Sequence, residues 1–398
     1  MFSPIAGAVA YTDYNGCDGH LSPNSEVYRR MLDEFDRKMM QRALDLAYGP
    51  VEPPYPNPRV GAVIARDGQV LSEGCHASYD QPHAEYKALS ALDFKAEGAT
   101  IYVTLEPCCP FEGKRNPSCA EVISRSGITR AVVGYTHPEQ GQNMGCDIMR
   151  KAGIQVHVGA LAESCEWVVK GLFHYLKTSR PYVLAKWAMT ADGLIAPPDR
   201  SRGAISSPEG FRFLHLMRHW VDAILIGIGT AKMDNPRLTC RESGFRHPLR
   251  VVVDPLLELP PNSALAQTDR ETRTLLIHTD KADKTNARAL EDKGVMLAET
   301  SSDEDGSIPV AEILRILSEN NALMVLVEGG SNVHSRFFEA GAVDEYMIAI
   351  APKILGGKGG LNPIGGGGTG SIDSAVPLEG VHYKKVGTDI ILFGRPVF

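Results

Sequence analysis

One histidine, an acid two residues on, and three cysteines fall within 37 residues, in the stretches HAEYKAL (83–89) and PCCPFEGKRNPSC (107–119). The eight cysteines stand at 17, 75, 108, 109, 119, 146, 165 and 240, too few and too scattered to staple a chain of 398 residues. A cluster such as 108–119 in a reducing compartment reads instead as metal-binding or catalytic. Whether these side chains meet depends on the helices and strands that carry them.

The neighbouring pattern supplies those elements. Phe35, Met39, Ala43, Leu46 and Ala47 fall on one helical face, and the helix is stopped near Gly49–Pro50. VGAVIA (60–65) and QVLSEGC (69–75), joined by Asp67–Gly68, read as a β-hairpin. There follow a helix over 83–92, the strand TIYVTLE (100–106), a helix from Cys119, the strand RAVVG (130–134), a helix over 144–152 and a strand over 154–158. A hairpin followed by alternating helix and strand predicts a mixed sheet covered on both faces, a three-layer α/β/α domain. Its expected limits are 34–160, after an extension (1–33) that shows no period.

Zinc prefers thiolate sulfur and imidazole nitrogen, and a catalytic zinc takes three protein ligands and a water. His-x-Glu, then Pro-Cys, then a later Cys is the signature of zinc-dependent base deaminases. His83, at the start of one helix, would place Glu85 in the same pocket without making it a ligand. Cys108 would end a strand, and Cys119 would open the next helix, where the N-terminal dipole favours a thiolate. Adjacent residues rarely aim both sulfurs at one ion, so Cys109 is read as a bystander. One zinc per chain, held by His83, Cys108 and Cys119, is the expectation, with Glu85 as the catalytic proton carrier. A structural zinc would need a fourth ligand, which Cys75 or His76 could supply. The parts suit hydrolysis at an amidine-like ring carbon with release of ammonia.

A helix over 161–179, broken by Ser-Arg-Pro at 179–181, is read as a linker helix (161–180). A second α/β series occupies 181–398, with strands YVLAKWAM (182–189), DAILIGIG (222–229), 250–253, 273–278 and 323–328, and the helix SPEGFRFLHLMRHW (207–220). GGKGGLNPIGGGG (356–368) is expected to be disordered or ordered only by ligand. A strand ending in Glu328-Gly329-Gly330 at a helix start leaves N–H groups free for a phosphate.

The net charge of −7 and pI of about 6.0, with no basic stripe, argue against nucleic acid and leave room for a small phosphorylated substrate. Neither a spanning apolar run nor a basic leader followed by an apolar core is visible, so a cytoplasmic protein with no membrane partner is expected.

YPNPRVGAVI (55–64), GCHASYDQPHAEYKAL (74–89) and TLEPCCPFEGKRNPSCAEVI (104–123) resemble the deaminase domain of the bifunctional riboflavin-biosynthesis deaminase/reductase family. KWAMTADGLIA (186–196), the run 205–241, RVVVD (250–254), LVEGG (326–330) and APKILGG (351–357) are similar to its reductase domain. The resemblance implies a cytidine-deaminase-like domain followed by a dihydrofolate-reductase-like one. It implies deamination of a diaminopyrimidinone carrying a ribose 5-phosphate, then NADPH-dependent reduction of the ribosyl chain to ribityl, in a homo-oligomer. Carried over, Asn57 lines the deaminase pocket with His76 beside it, and Ala188, Thr230, Asp234 and the turn at Gly330 lie along NADPH. Arg218, Leu238, Arg241 and Glu328 face the substrate of the reductase, the two arginines being suited to phosphate.

Two departures stand out. Ten residues separate Cys108 from Cys119 where the family has about eight, and Cys109-Pro110 replaces its Ser-His; Lys114 and Arg115 are the candidate phosphate contacts in this longer loop. Arg202-Gly203-Ala204 stands where the family often carries Ser-x-Trp, removing an apolar wall beside the nicotinamide. Two competing readings follow: a reductase domain that only binds, and a nucleoside or tRNA-base deaminase fused to an unrelated module.

Overall fold

The computed structural model describes residues 32–49, 54–110, 117–138, 144–201, 203–241 and 246–398. The chain divides into two compact units between Phe173 and His174.

In the first unit, helix α1 (Glu34–Tyr48) starts at Asp33, whose side chain accepts from the Asp36 N–H while Asp36 answers with the Asp33 N–H, a reciprocal cap. The hairpin strands β1 (Gly61–Arg66) and β2 (Gln69–Cys75) are followed by helix α2 (Ala84–Ser90), β3 (Thr100–Leu105) and α3 (Cys119–Ser124). Then come β4 (Arg130–Tyr135), α4 (Met144–Lys151), β5 (Gln155–Val158) and α5 (Ala162–Thr178), the last running across the division between the units. The sheet order is β2-β1-β3-β4-β5, with β1 antiparallel to both neighbours and β3, β4 and β5 parallel.

Alternation along β1 and β3 builds the two faces. Ala62, Ile64, Ile101 and Val103 pack with Ala84, Ala88, Ala120, Ile123 and Met149 of α2, α3 and α4. Val63, Ala65 and Tyr102 pack with Met39, Met40, Ala43 and Leu44 of α1 on the other face. Arg130 grips Asp36 with two hydrogen bonds of 2.6 and 2.7 Å, and Tyr102 donates to the same carboxylate at 2.7 Å, which fixes α1 against the sheet.

In the second unit, β6 (Tyr182–Thr190), α6 (Pro208–Trp220), β7 (Ala223–Gly227), α7 (Ile228–Asp234), β8 (Leu249–Val253), β9 (Thr274–Thr279), α8 (Ala287–Glu291) and β10 (Met296–Thr300) come first. They are followed by α9 (Val310–Glu319), β11 (Met324–Gly329), α10 (Ser331–Glu339), β12 (Glu345–Ala351), β13 (Leu378–Val386) and β14 (Asp389–Pro396). The sheet order is β10-β9-β8-β7-β11-β6-β12-β14-β13. It is parallel from β10 to β12 and antiparallel beyond. Val183, Ala185, Leu225, Val251, Leu275, Val325 and Val327 form its core with Ile313, Leu314 and Leu317 of α9. The near-continuous apolar runs are what a parallel sheet covered by helices requires.

Two expectations are corrected. The apolar run over 222–229 is not one strand: β7 ends at Gly227, which in extended conformation opens α7 at Ile228. The Gly-rich segment 356–368 is not disordered; Leu361 bridges Ala196, and the Gly365 N–H donates to the Ser331 carbonyl at 3.3 Å. The extension 1–31 lies outside the described residues.

Candidate active sites

In the first unit the sheet and helices bring three ligand atoms together. His83 precedes α2, Cys108 follows β3, and Cys119 opens α3; one ligand atom from each lies within 4.8 Å of the others. Both sulfurs stand 3.5 Å from Nδ1 of His83, so Nδ1 is the nitrogen that faces the metal position. The Cys119 N–H donates to Cys108 Sγ at 3.3 Å and the Ala120 N–H to the Cys108 carbonyl at 3.2 Å. Ser118 and Glu121 close a reciprocal cap on α3, so the helix start that carries Cys119 is fixed on both sides.

Cys109 is buried and is not one of the three, and neither is Cys75 nor His76. No fourth His, Cys, Asp or Glu joins the group among the described residues. The donor set suits zinc and leaves room for a water, as a catalytic rather than a structural site requires.

Close backbone approach holds the parts. A Cβ on Gly74 of β2 would sit 2.1 Å from the Ala84 carbonyl, and one on Gly145 would sit 2.0 Å from that of Pro107. Only glycine lets β2 run against the start of α2 and α4 press on the residue before Cys108. Glu106, buried at the end of β3, accepts from the Cys146 N–H at 3.0 Å and the His137 N–H at 3.1 Å. That carboxylate caps α4 from another element and ties it to the metal-holding turn. The sequence reading missed Glu106; an acid inside an otherwise apolar strand end, LEPC, was the available signal.

Glu85 is buried on the first turn of α2. Burial pushes its carboxyl pKa up, the nearby Cys108 adds to the rise, and His83 opposes it. The Pro82 carbonyl, 3.1 Å from His76 Nδ1, can only accept, so Nδ1 carries the proton. Burial lowers the pKa of the ring, and its Nε2 accepts from Asn57 Nδ2 at 3.0 Å. The amide of Asn57 is thereby oriented, and its Oδ1 has no hydrogen-bond partner among the described residues. Lys114 and Arg115 lie outside the described residues.

In the second unit the candidates gather at the carboxyl ends of three adjacent parallel strands, β7, β11 and β6, where open α/β sheets bind ligands. Ala188 lies near the end of β6. Thr230 lies in the first turn of α7 and stands against Gly329 and Gly330 at the end of β11, its hydroxyl 3.4 Å from the Gly329 carbonyl. Gly330 has φ +80°, and a Cβ there would meet Thr230 Oγ1 at 2.7 Å, so the turn admits no side chain. Asp234 closes α7 and is exposed, and Leu238 is buried four residues on.

Arg218 reaches Glu328 through Nε and Nη2 at 3.2 and 2.9 Å, and the Thr239 carbonyl through Nη1 at 3.3 Å. Burial alone would raise the Glu328 pKa, but Arg218 and then Lys186 outweigh it and hold the carboxyl at about 2. Lys186 Nζ is 3.9 Å from Glu328, yet burial wins there and lowers its pKa. The pair divides unequally because one carboxylate serves two cations and Arg218 is the closer. Lys186 is the second residue that the sequence reading passed over; a lysine among the apolar residues of YVLAKWAM was its signal. Gly203 and Ala204 are exposed, the Ala204 carbonyl accepting from Lys353 Nζ at 2.7 Å, while Arg202 lies outside the described residues.

Comparison with known proteins agrees with both geometries. Residues 33–135 match the family model for the cytidine and deoxycytidylate deaminase zinc-binding region, and residues 181–392 match that for the RibD C-terminal domain. The riboflavin biosynthesis protein RibD of Aquifex aeolicus is 35% identical over 91% of this chain and 99% of its own length. Two solved structures align over 99% of their length: RibD of Acinetobacter baumannii (27% identity, 92% of this chain, TM-score 0.68) and a Thermotoga maritima protein (31%, 91%, TM-score 0.67). The latter is described as a diaminohydroxyphosphoribosylaminopyrimidine deaminase/5-amino-6-(5-phosphoribosylamino)uracil reductase. The match over 181–392 overturns the alternative of an unrelated second module.

Proposed function

Because the chain belongs to the RibD family of riboflavin biosynthesis proteins, we propose how its residues divide the two reactions of a bifunctional deaminase/reductase. The substrate is a small pyrimidine. We assign it as the phosphoribosylaminopyrimidine named for the Thermotoga relative, deaminated in the first unit and reduced along its ribosyl chain in the second.

His83, Cys108 and Cys119 hold the zinc ion, which supplies a water acidified toward neutrality. Glu85, beside the ligands but not one of them, would carry two protons in turn, one from the attacking water to the ring nitrogen and a second from the newly added hydroxyl to the departing amine. A carboxyl raised by burial can both accept and release each proton. Asn57, its amide set by His76, offers Oδ1 as an acceptor to an N–H on the pyrimidine edge. Lys114 and Arg115 are the proposed contacts to the substrate phosphate at this site.

NADPH supplies the hydride in the second unit. Ala188, Thr230 and Asp234 line the dinucleotide, and the N–H groups that follow Gly330 hold its phosphate. Leu238, Glu328, Arg218 and Lys186 face the ribosyl chain, where the charges orient its hydroxyls and buried walls keep water away. Arg241 takes the terminal phosphate. We further assign the enzyme to the cytoplasm as a homo-oligomer acting on a small molecule, an expectation that comes from the family resemblance.

The reading is carried by the convergence of one imidazole and two sulfurs, with a non-ligand carboxyl buried beside them. Glu85→Gln tests it. Ammonia release should fall by a factor of about 10²–10⁴, while zinc content and NADPH oxidation with the already deaminated substrate stay at the wild-type level. Unchanged ammonia release would remove Glu85 from the reaction.

A further inference from the structure

Phe211, His215 and Arg218 stand on α6 at intervals of four and three residues, so they share one helix face. That face meets the segment Leu238–Arg241, to which Arg218 is tied through the Thr239 carbonyl. The two arginines assigned to substrate are not equivalent there. Three donors of Arg218 are already committed, two of them to Glu328. Arg241 forms no ion pair among the described residues, and its guanidinium carbon lies over the ring of Phe211, 5.4 Å from the centroid.

Phe211 is 46% exposed, and its ring leans on that of His215, 4.2 Å between centroids at 41°. His215 is itself buried, and its Nδ1 has no hydrogen-bond partner among the described residues. Burial first, then the positive charge of Arg218, hold its pKa down to about 4, so the ring is neutral near pH 7 and does not repel Arg241. The half-open phenyl ring thus touches both a guanidinium and a buried imidazole.

We propose that Phe211 is a positioning residue for Arg241: its ring holds the face of the guanidinium so that the N–H edge stays free to grip the substrate phosphate. This rests on the assignment of Arg241 to the phosphate. Stacking uses the face of a guanidinium and bidentate phosphate binding uses its edge, so both contacts coexist. Without the ring, an exposed arginine would have to be ordered by the substrate itself, at a cost in affinity. Phe211 therefore contributes to the discrimination between a phosphorylated substrate and its nucleoside, and not to hydride transfer.

The test is steady-state NADPH oxidation with 5-amino-6-(5-phosphoribosylamino)uracil and with its dephosphorylated nucleoside, for Phe211→Ala, Phe211→Tyr and Arg241→Ala. Thermal unfolding of the same full-length proteins, with and without NADPH, reports intact folding of the second unit. Phe211→Ala should raise KM for the phosphorylated substrate roughly fivefold, with kcat and the nucleoside KM unchanged, and Phe211→Tyr should restore it. Arg241→Ala should abolish most of the preference for phosphate. If Arg241→Ala leaves the phosphorylated KM unaltered, the assignment of Arg241 fails and this inference with it. If Arg241→Ala raises that KM but Phe211→Ala does not, or Phe211→Ala shifts both substrates alike, the role of Phe211 alone is overturned.

Discussion

Two buried glutamates, one in each unit, are driven in opposite directions. Burial and the neighbouring Cys108 push Glu85 up, whereas Arg218 and Lys186 overcome burial at Glu328 and hold it at about 2. Similar desolvation therefore yields a group that can trade protons and a group that stays charged; the neighbours decide which. The two sites also differ in how the chain builds them. The metal site is drawn from His83 to Cys119, a single helix-strand-helix stretch. The proposed reductase site joins Lys186, Arg218, Thr230, Glu328 and Gly330, which come together because β6, β7 and β11 lie side by side.

The contrast can be broken first at the metal. Cys119→Ser should weaken zinc binding at least about 100-fold and abolish ammonia release, while Cys109→Ser keeps one zinc per chain; metal analysis of the two purified variants decides. NADPH oxidation should survive in both, and its loss would mean that the sites are not separable in this way.

Next in size is Glu328→Gln, which strands Arg218 and Lys186 without their countercharge. A loss of about 3–5 kcal/mol is expected in denaturant titration, together with reductase activity. The same carboxylate gives the pH direction. Its folded pKa of about 2 lies below the roughly 4.3 of an unfolded glutamate, so its contribution is present above about pH 4.3 and is lost as pH falls toward 2. Stability measured across that window should decline in the wild type and be flatter in Glu328→Gln.

The smallest effect sharpens the first site. His76→Leu removes the acceptor that orients Asn57, and one hydrogen bond of about 1 kcal/mol corresponds to roughly a fivefold fall in deaminase kcat/KM. Zinc content should not change; if it does, His76 supports the metal rather than Asn57.

How much of this was legible follows the same divide. The hairpin, the strand before Cys108 and the helix opening at Cys119 are local patterns, and β1, β2, β3 and α3 begin within a residue of where the sequence places them. Glu106 was not visible as a tie, because its partners at His137 and Cys146 are supplied by the β4–α4 segment. In the second unit, periodicity could not divide the run AILIGIG, since an apolar stretch continues smoothly from a buried strand into a helix. The strands β10, β12, β13 and β14 escaped notice, and the glycine-rich run was read by composition although hydrogen bonds fix its course. Lys186 gained meaning only from Glu328 on the neighbouring strand, a pairing set by sheet order.

The contacts at the two ends of the Cys108–Cys119 interval reach past the metal. Because the Cys119 and Ala120 N–H groups close back on Cys108, and Ser118 anchors the helix that follows, the sulfurs are positioned from the base of the loop. A change in the length of the joining chain therefore need not displace either sulfur. Insertions and substitutions there can accumulate without disturbing coordination, making this interval a natural place for lineages to diverge in what they admit while inheriting unaltered chemistry.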